Sequence, residues 1–230
     1  MAHEQPDQRP YGRRAFLALV AGGLSALAWG EPAWRALTSN VFRPVLEPAG
    51  LAPSKGWRIY TIGSTMPSFD RSTWRLSIEG LVEQPLELGY DELLALPRAD
   101  QVSDFHCVTG WSVENVRWGG VRFDDLLAEA RPLPSARALA FVSAEKPYVD
   151  GLTLEQALLP EVLLAYEMDG EPLTRPHGAP TRLVIPQMYG YKNVKWVERI
   201  VVLDREVDGY WEERGYDRNA WVGRSNGYGA

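Results

Sequence analysis

The stretch Phe105-His106-Cys107-Val108-Thr109-Gly110-Trp111 contains the one cysteine of this 230-residue chain. Residues 101–108 predict a strand, and Gly110 predicts the turn that follows it. The end of a strand that enters a loop holds a reactive side chain rigidly and within reach of other molecules. Since neighbouring strand residues point to opposite faces, His106 is not expected to activate Cys107. Taken alone, the stretch fits a buried, inert cysteine first and a functional thiol second.

The composition around this stretch indicates one sheet-rich domain. Apolar residues make up 45% of the chain and charged residues 23%, which is enough apolar material for one sizeable core. The 21 Gly, 17 Pro and nine Trp are typical of short strands and loops rather than of a helix bundle. The net charge of −6 and the absence of a basic run argue against nucleic acid as a partner.

Periodicity and capping patterns predict a mixed order of short strands and helices. Residues 74–80 alternate with the period of a half-buried strand, and Thr153 with Gln156 forms a capping-box pattern before a helix. Asp169-Gly170 predicts a hairpin turn. The other predicted strands are 101–108, 138–143, 162–168, 182–185 and 196–203, and the predicted helices are 90–96, 123–130 and 154–159. This order fits an α+β fold with a large sheet component better than a doubly wound sheet.

The first thirty residues resemble a targeting segment. Arg13-Arg14 precedes Phe16-Leu17, a pattern typical of a twin-arginine export signal, with an ordinary secretory signal as the alternative. Residues 15–30 carry no charge, and this run of 16 residues is shorter than the about 20 that span a membrane. We therefore expect cleavage and a periplasmic location, with a membrane tether only if the signal is retained. The predicted organisation is a signal at 1–30, an irregular arm at 31–58 and one domain at 59–230.

Several common site types lack the residues that they need. One cysteine excludes an intramolecular disulfide, and a lone thiol in an oxidising compartment is a liability unless it is buried or bound. The three histidines, His3, His106 and His177, do not form a zinc pattern with a single cysteine. No Cys-x-x-Cys-His segment, Walker A loop or helix-opening Gly-x-Gly-x-x-Gly element occurs. Redox chemistry in this chain would need a cofactor that is held in some other way.

A second segment, residues 177–196, combines cations with glycine and proline. His177, Arg182, Lys192 and Lys195 fall within twenty residues of one another. A loop of this composition can present cations and backbone N–H groups to a phosphate-bearing ligand. A solvated turn between strands is the alternative, and spacing alone does not decide between the two.

Both segments belong to a series of motifs in a fixed order along the chain. The series is Phe105–Trp111, Trp118-Gly119-Gly120-Val121, Asp150-Gly151, Ala165-Tyr166-Glu167-Met168-Asp169-Gly170-Glu171-Pro172-Leu173, His177-Gly178-Ala179-Pro180 and Gly190-Tyr191-Lys192-Asn193-Val194-Lys195-Trp196. From about residue 59 to residue 215, the chain resembles the molybdopterin-binding domain of the sulfite-oxidase superfamily. It is similar to the bacterial branch of periplasmic methionine-sulfoxide reductases, which share a twin-arginine signal and lack a fused haem domain.

The resemblance implies a mixed, sheet-rich sulfite-oxidase fold and one molybdenum, held by a pterin dithiolene and a single cysteine thiolate. The matching ligand is Cys107, and binding to the metal would protect its sulfur from oxidation. The residues that the resemblance assigns to cofactor binding are Tyr60, Thr61, Cys107, Ser143, His177, Arg182, Asn193, Val194 and Lys195. Such a cofactor is inserted in the cytoplasm, which fits export of the folded protein by the twin-arginine machinery.

The reaction implied is oxygen-atom transfer by an oxidoreductase acting on sulfur, with Cys107, Tyr191 and Lys192 as the catalytic candidates. Sites that oxidise the sulfite dianion tend to contain several arginines, and relatives that do so often have arginine at the position of Lys192. We therefore expect reduction of a small sulfoxide or N-oxide, with electrons from a membrane b-type cytochrome. Three alternatives stay open: sulfite oxidation aided by Arg58 or Arg117, a thiol-based redox enzyme, and a metal-free exported binding module.

Overall fold

The structure, a computed structural model, describes residues 56–225, which form two five-stranded sheets and short helices. The strands are β1 (Arg75–Gly80), β2 (Leu86–Gly89), β3 (Ala99–Cys107), β4 (Trp111–Arg122), β5 (Ala138–Ser143), β6 (Val149–Thr153), β7 (Leu163–Met168), β8 (Glu171–Pro172), β9 (Arg182–Val184) and β10 (Val197–Leu203). The helices are α1 (Tyr90–Ala95), α2 (Phe123–Ala130) and α3 (Leu154–Ala157), with 3-10 turns at Arg175–His177 and Glu212–Arg214.

The predicted signal and the arm as far as residue 55 lie outside the described residues. Between residues 56 and 225, no helix has the length and apolar character to span a membrane.

The first sheet has the strand order β2-β1-β10-β5-β6, and the second has the order β3-β4-β7-β8 with β9 beside β7. Only β1 and β10 pair in parallel among these strands. All six residues of β5 are buried, because its neighbours β10 and β6 flank it and α2 packs nearby, with the Phe123 and Phe141 ring centroids 5.2 Å apart. The sheet-rich α+β architecture expected from the sequence is confirmed.

Local sequence signals locate several elements closely. The bounds of α2 and β5 agree with the predicted 123–130 and 138–143. The capping box is present, since the Thr153 hydroxyl accepts a hydrogen bond from the Gln156 amide at 3.0 Å and the Gln156 side chain accepts one from the Thr153 amide at 2.9 Å. Helices α1 and α3 end one and two residues earlier than the sequence suggests.

Strand β4 is the main element that the sequence does not predict. It contains Gly119 and Gly120, which lower the propensity of the segment for a strand. The structure explains why residue 120 is a glycine. A Cβ atom on Gly120 would lie 2.3 Å from the carbonyl oxygen of Leu164 in β7, so the two strands approach too closely for any side chain.

Two connections bring the motifs of the sequence together. The turn after β3 is closed by a hydrogen bond of 3.0 Å from the Gly110 amide to the Cys107 carbonyl oxygen. The loop between β9 and β10 is joined to the end of β3 by a hydrogen bond of 2.7 Å from the Gly190 amide to the His106 carbonyl oxygen. The cysteine stretch and the cation-rich segment therefore meet at one place.

Candidate active site

A cavity of about 400 Å³ lies where the end of β3, the β9–β10 loop and residues 57–62 meet. Most of the residues that the sequence assigns to a site line this cavity, namely Tyr60, Thr61, Cys107, Ser143, His177, Arg182, Tyr191, Asn193 and Lys195. Two others, Lys192 and Val194, do not. The cavity brings together residues that are far apart in the chain, such as Tyr60 and Lys195, which are 135 positions apart.

Cys107 is a free, half-buried thiol at the last position of β3. Its Sγ atom lies 3.2 Å from the Thr109 hydroxyl. Phe105 also lines the cavity, because alternate residues of a strand share one face. His106 is directed elsewhere, with its Nδ1 atom 2.8 Å from the Ser112 hydroxyl. His106 does not line the cavity, in agreement with the opposite directions that strand geometry predicts for His106 and Cys107.

Arg182 places a buried positive charge in the wall of the cavity. Only 2% of this residue is exposed, and its guanidinium carbon lies 5.8, 5.3 and 5.2 Å from the ring centroids of Trp57, Phe105 and Trp118. One hydrogen bond of 3.3 Å reaches the His177 carbonyl oxygen, and Nε has no partner. No carboxylate of residues 56–225 forms an ion pair with it, and burial lowers its pKa to about 10.

Lys195 and His177 complete a cluster of basic groups around Arg182. A backbone bridge joins Arg182 and Lys195, so the two cations emerge side by side. Burial, and then the Arg182 charge, lowers the pKa of Lys195 to about 8, and the same two effects, with the Lys195 charge, lower the pKa of His177 to about 4. At neutral pH the cluster carries two positive charges and a neutral imidazole whose buried Nδ1 has no partner. This arrangement suits the binding of a phosphate group.

Gly178 lies in close contact with the two cationic residues of this cluster. Its φ is +105°, and a Cβ atom would lie 3.0 Å from the Cβ of Lys195 and 3.2 Å from that of Arg182. A side chain at this position would push the two cations apart, which accounts for the glycine after His177 in the motif.

Ser143 and Asn193 face the cavity, but their polar atoms hold its wall. The Ser143 hydroxyl donates to the Lys195 carbonyl oxygen at 2.8 Å. The Asn193 side chain accepts a bond of 2.7 Å from the Ile185 amide and donates to the Met188 carbonyl oxygen at 3.3 Å. Their side chains thus fix the loop that carries Lys195, and any cofactor contact from them would be additional to these bonds.

The polar groups of Tyr191 and Lys192 are not free to act as the catalytic groups that the sequence suggests. The Tyr191 hydroxyl donates to the Asp217 carbonyl oxygen at 2.6 Å, so it is engaged in the wall of the cavity. Lys192 is 2% exposed and bonds to the Asp150 carboxylate at 2.8 Å and to the Glu212 carboxylate. Burial alone would lower the pKa of Lys192, but these two carboxylates outweigh it and raise the pKa. The ammonium group therefore points into a buried ion cluster and away from the cavity, contrary to its assignment as a catalytic candidate.

Val194 likewise lies apart from the cavity. It is 1% exposed and packs in the main core, and its carbonyl oxygen accepts a bond of 2.8 Å from the Leu183 amide. Its assignment to cofactor binding rests on the family motif and has no contact in the structure to support it.

Several residues of the cavity have no sequence signal that would have identified them. Glu145 is 6% exposed, and its Oε1 accepts bonds of 2.9 and 3.1 Å from the Ile62 and Gly63 amides. One wall consists of aromatic rings in contact, with centroid distances of 5.7, 5.2, 5.0 and 5.3 Å along the series Tyr148, Tyr210, Trp211, Tyr216 and Tyr191. Trp57 belongs to the predicted arm, yet it packs on Phe105 at 4.8 Å and on His177 at 5.0 Å.

The buried ion cluster predicts a large effect of removing its cation. Lys192→Met leaves two buried carboxylates without a counterion, so we expect a loss of about 3–5 kcal/mol in the free energy of unfolding, measured by urea denaturation. The matched control is Lys146→Met, which removes the exposed Lys146–Glu198 ion pair and should change stability by less than about 1 kcal/mol. Adding Asp150→Asn to Lys192→Met should restore part of the loss. Equal effects of the two single variants would contradict this account.

The cation cluster predicts pH-dependent anion binding by the cofactor-free protein. Lys195 is protonated below its pKa of about 8 and neutral above it, whereas His177 stays neutral above a pKa of about 4. Sulfate keeps its charge over this range, so its affinity should fall by about tenfold as pH rises through the Lys195 titration. Sulfate-dependent thermal shifts measure this affinity. Lys195→Met should abolish the pH dependence, and an unchanged affinity on either side of the titration in the parent protein would contradict the prediction.

Comparison with known proteins identifies the family to which the chain belongs. A family model described as the oxidoreductase molybdopterin binding domain matches residues 63–211. The uncharacterized oxidoreductase YuiH of Bacillus subtilis (strain 168) is 39% identical over 148 residues, covering 64% of this chain and 74% of that protein. The protein-methionine-sulfoxide reductase catalytic subunit MsrP of Gluconobacter oxydans (strain 621H) is 34% identical over 176 residues, covering 69% of this chain and 56% of that protein.

The crystal structure of the sulfane dehydrogenase SoxCD from Paracoccus pantotrophus superposes with a TM-score of 0.59 at 30% sequence identity, over 63% of this chain and 41% of that chain. The present chain matches only about half of the length of MsrP. The family model covers well over half of the present chain, and the fold agrees with it. The chain therefore belongs to the oxidoreductases with a molybdopterin-binding domain, within the sulfite-oxidase superfamily.

Proposed function

We propose that this protein is a periplasmic molybdenum-cofactor enzyme that transfers an oxygen atom, and that it reduces a small sulfoxide or N-oxide. The observation that carries the proposal is the cavity that Cys107 shares with two cations: Arg182, whose Nε has no hydrogen-bond partner, and Lys195. A cysteine and a pair of cations within one cavity would suit the metal and the phosphate of a molybdenum-bearing pterin.

The residues present fit this cofactor. Cys107 would supply the protein's thiolate ligand, and Arg182 with Lys195 would hold the phosphate. Within residues 56–225, no three or more His, Cys, Asp or Glu side chains are grouped to bind a metal, so the remaining ligands would come from the cofactor. When bound, the cofactor supplies a two-electron couple for oxygen-atom exchange. The protein positions the substrate and excludes water around it.

The cavity favours an uncharged substrate. Arg117, one of the two arginines that could serve sulfite, has 72% of its side chain exposed, does not line the cavity, and lies 4.0 Å from the Asp169 carboxylate. Lys192 is held by Asp150 and Glu212. The aromatic wall suits the apolar substituents of a sulfoxide. In the net reaction the sulfur–oxygen bond breaks, two electrons enter, and the oxygen leaves with two protons as water.

Similarity to MsrP supports reduction, because that protein is named a methionine-sulfoxide reductase catalytic subunit. Oxidation of sulfite or a related sulfur anion is the second candidate. It is favoured by Arg58, which lines the cavity, and by the similarity to SoxCD, which is named a sulfane dehydrogenase. A metal-free binding module would leave Cys107, which lines the same cavity as the cations, without a role.

The cellular setting is part of the proposal. We infer a twin-arginine signal at 1–30, an irregular arm at 31–58 and the enzyme domain at 59–230. MsrP is named a catalytic subunit, and the similarity to it supports a separate partner that supplies the electrons. A membrane b-type cytochrome would supply the electrons one at a time.

A pair of activity assays tests whether the enzyme reduces a sulfoxide or oxidises sulfite. The purified, cofactor-loaded protein is given methyl phenyl sulfoxide with a reduced viologen dye, or sulfite with ferricyanide. We expect kcat/KM for the sulfoxide to exceed that for sulfite by about a hundredfold, because Lys192 is held by Asp150 and Glu212 and the cofactor phosphate would occupy Arg182 and Lys195. A higher sulfite activity that falls in Arg58→Met would contradict the proposal and support the second candidate.

A further inference from the structure

Residues 57–63 form a strap along the cavity, hereafter the N-terminal strap. All six residues from Trp57 to Ile62 line the cavity, although they precede the part of the chain that matches the family model. The cavity is therefore not complete without a segment that lies at the edge of the predicted domain.

Two charged side chains fasten the strap. The Lys195 ammonium donates to the Tyr60 carbonyl oxygen at 2.7 Å. The Glu145 carboxylate accepts from the Ile62 and Gly63 amides at 2.9 and 3.1 Å through one oxygen. Bonds of this kind, between a charged group and the backbone, are stronger than those between neutral groups.

Glu145 and Lys195 are themselves linked through Ser143. The Ser143 hydroxyl accepts a bond of 3.0 Å from the Glu145 amide and donates one of 2.8 Å to the Lys195 carbonyl oxygen. The groups that hold the strap are thus part of the same unit that forms the phosphate side of the cavity. A shift of the strap would change the surroundings of the cation cluster.

Trp57 is the strap residue that reaches this cluster. Its ring lies 5.8 Å from the Arg182 guanidinium carbon and packs against the rings of Phe105, Trp118 and His177. It covers a charge whose attraction for an anion increases as water is excluded. Removal of the ring would expose the guanidinium to solvent and weaken that attraction.

We propose that Glu145 is a latch that holds the N-terminal strap over the cavity, and that Trp57 on the strap retains the cofactor by shielding Arg182 from water. Both are positioning residues, since they act through the strap and through Arg182. The proposal depends on cofactor binding but not on the direction of the reaction.

Limited trypsin digestion tests the latch. Arg58 is exposed on the strap, so the Arg58–Ile59 bond is a cleavage site whose rate reports strap opening. We expect Glu145→Ala to accelerate cleavage at this bond by about tenfold, as followed by mass spectrometry. The matched control is Glu92→Ala, because Glu92 also accepts a backbone amide bond, from Gly89 at 2.7 Å, but lies away from the cavity. Equal cleavage rates in the two variants would overturn the latch.

Cofactor retention tests the role of Trp57. The loaded protein is dialysed, and its molybdenum and pterin contents are followed in Trp57→Ala and in Trp74→Ala, in which a half-buried tryptophan packed on Phe69 and Tyr90 is removed. We expect Trp57→Ala to lose cofactor about tenfold faster than either the parent or Trp74→Ala. Loss at the parent rate in Trp57→Ala would overturn the retention role. Loss of sulfoxide activity with retained cofactor would overturn it as well, because the ring would then act on the reaction itself.

Discussion

The buried charge of Arg182 is the interaction on which the candidate site depends. Moving a guanidinium group out of water is costly unless an anion pairs with it. Here aromatic rings surround the group, and no carboxylate in residues 56–225 pairs with it. An anion that binds beside Arg182 and Lys195 recovers part of the energy spent in burying them. The fold thus carries an electrostatic cost that an anionic ligand would reduce, and this is the physical reason for proposing a phosphate there.

The two sheets make this arrangement possible by ending their strands around one cavity. Strand β3 ends at Cys107, and the bridge between Arg182 and Lys195 brings two cations to the same side. The loop between β9 and β10 then divides its side chains between two tasks. Tyr191 and Asn193 form the cavity wall, whereas the ammonium of the intervening Lys192 neutralises part of the buried charge of Asp150 and Glu212. The motif at residues 190–196 therefore supports both the site and the stability of the domain.

Sequence reasoning was most successful where the signal is local or belongs to an ordered motif. The capping box at Thr153 and the helix 123–130 follow from neighbouring residues alone. The ordered motifs contain Cys107, His177 and Lys195, which line the cavity. The role of Lys192 could not be predicted, because its partners are 42 and 20 positions away and carry no signal of pairing. Glu145 was missed for the same reason, since its partners are 83 and 82 positions earlier in the chain.

The most direct test of the account is the molybdenum-to-protein ratio of the purified protein and of Cys107→Ser, each with an electron paramagnetic resonance spectrum of the partly reduced sample. We expect about one metal per chain in the parent protein, as for a site with one thiolate ligand. We also expect the spectrum to change in the variant, because Cys107 would be bound to the metal. A correctly folded parent protein without metal, or an identical spectrum in Cys107→Ser, would contradict the assignment of Cys107 as the ligand.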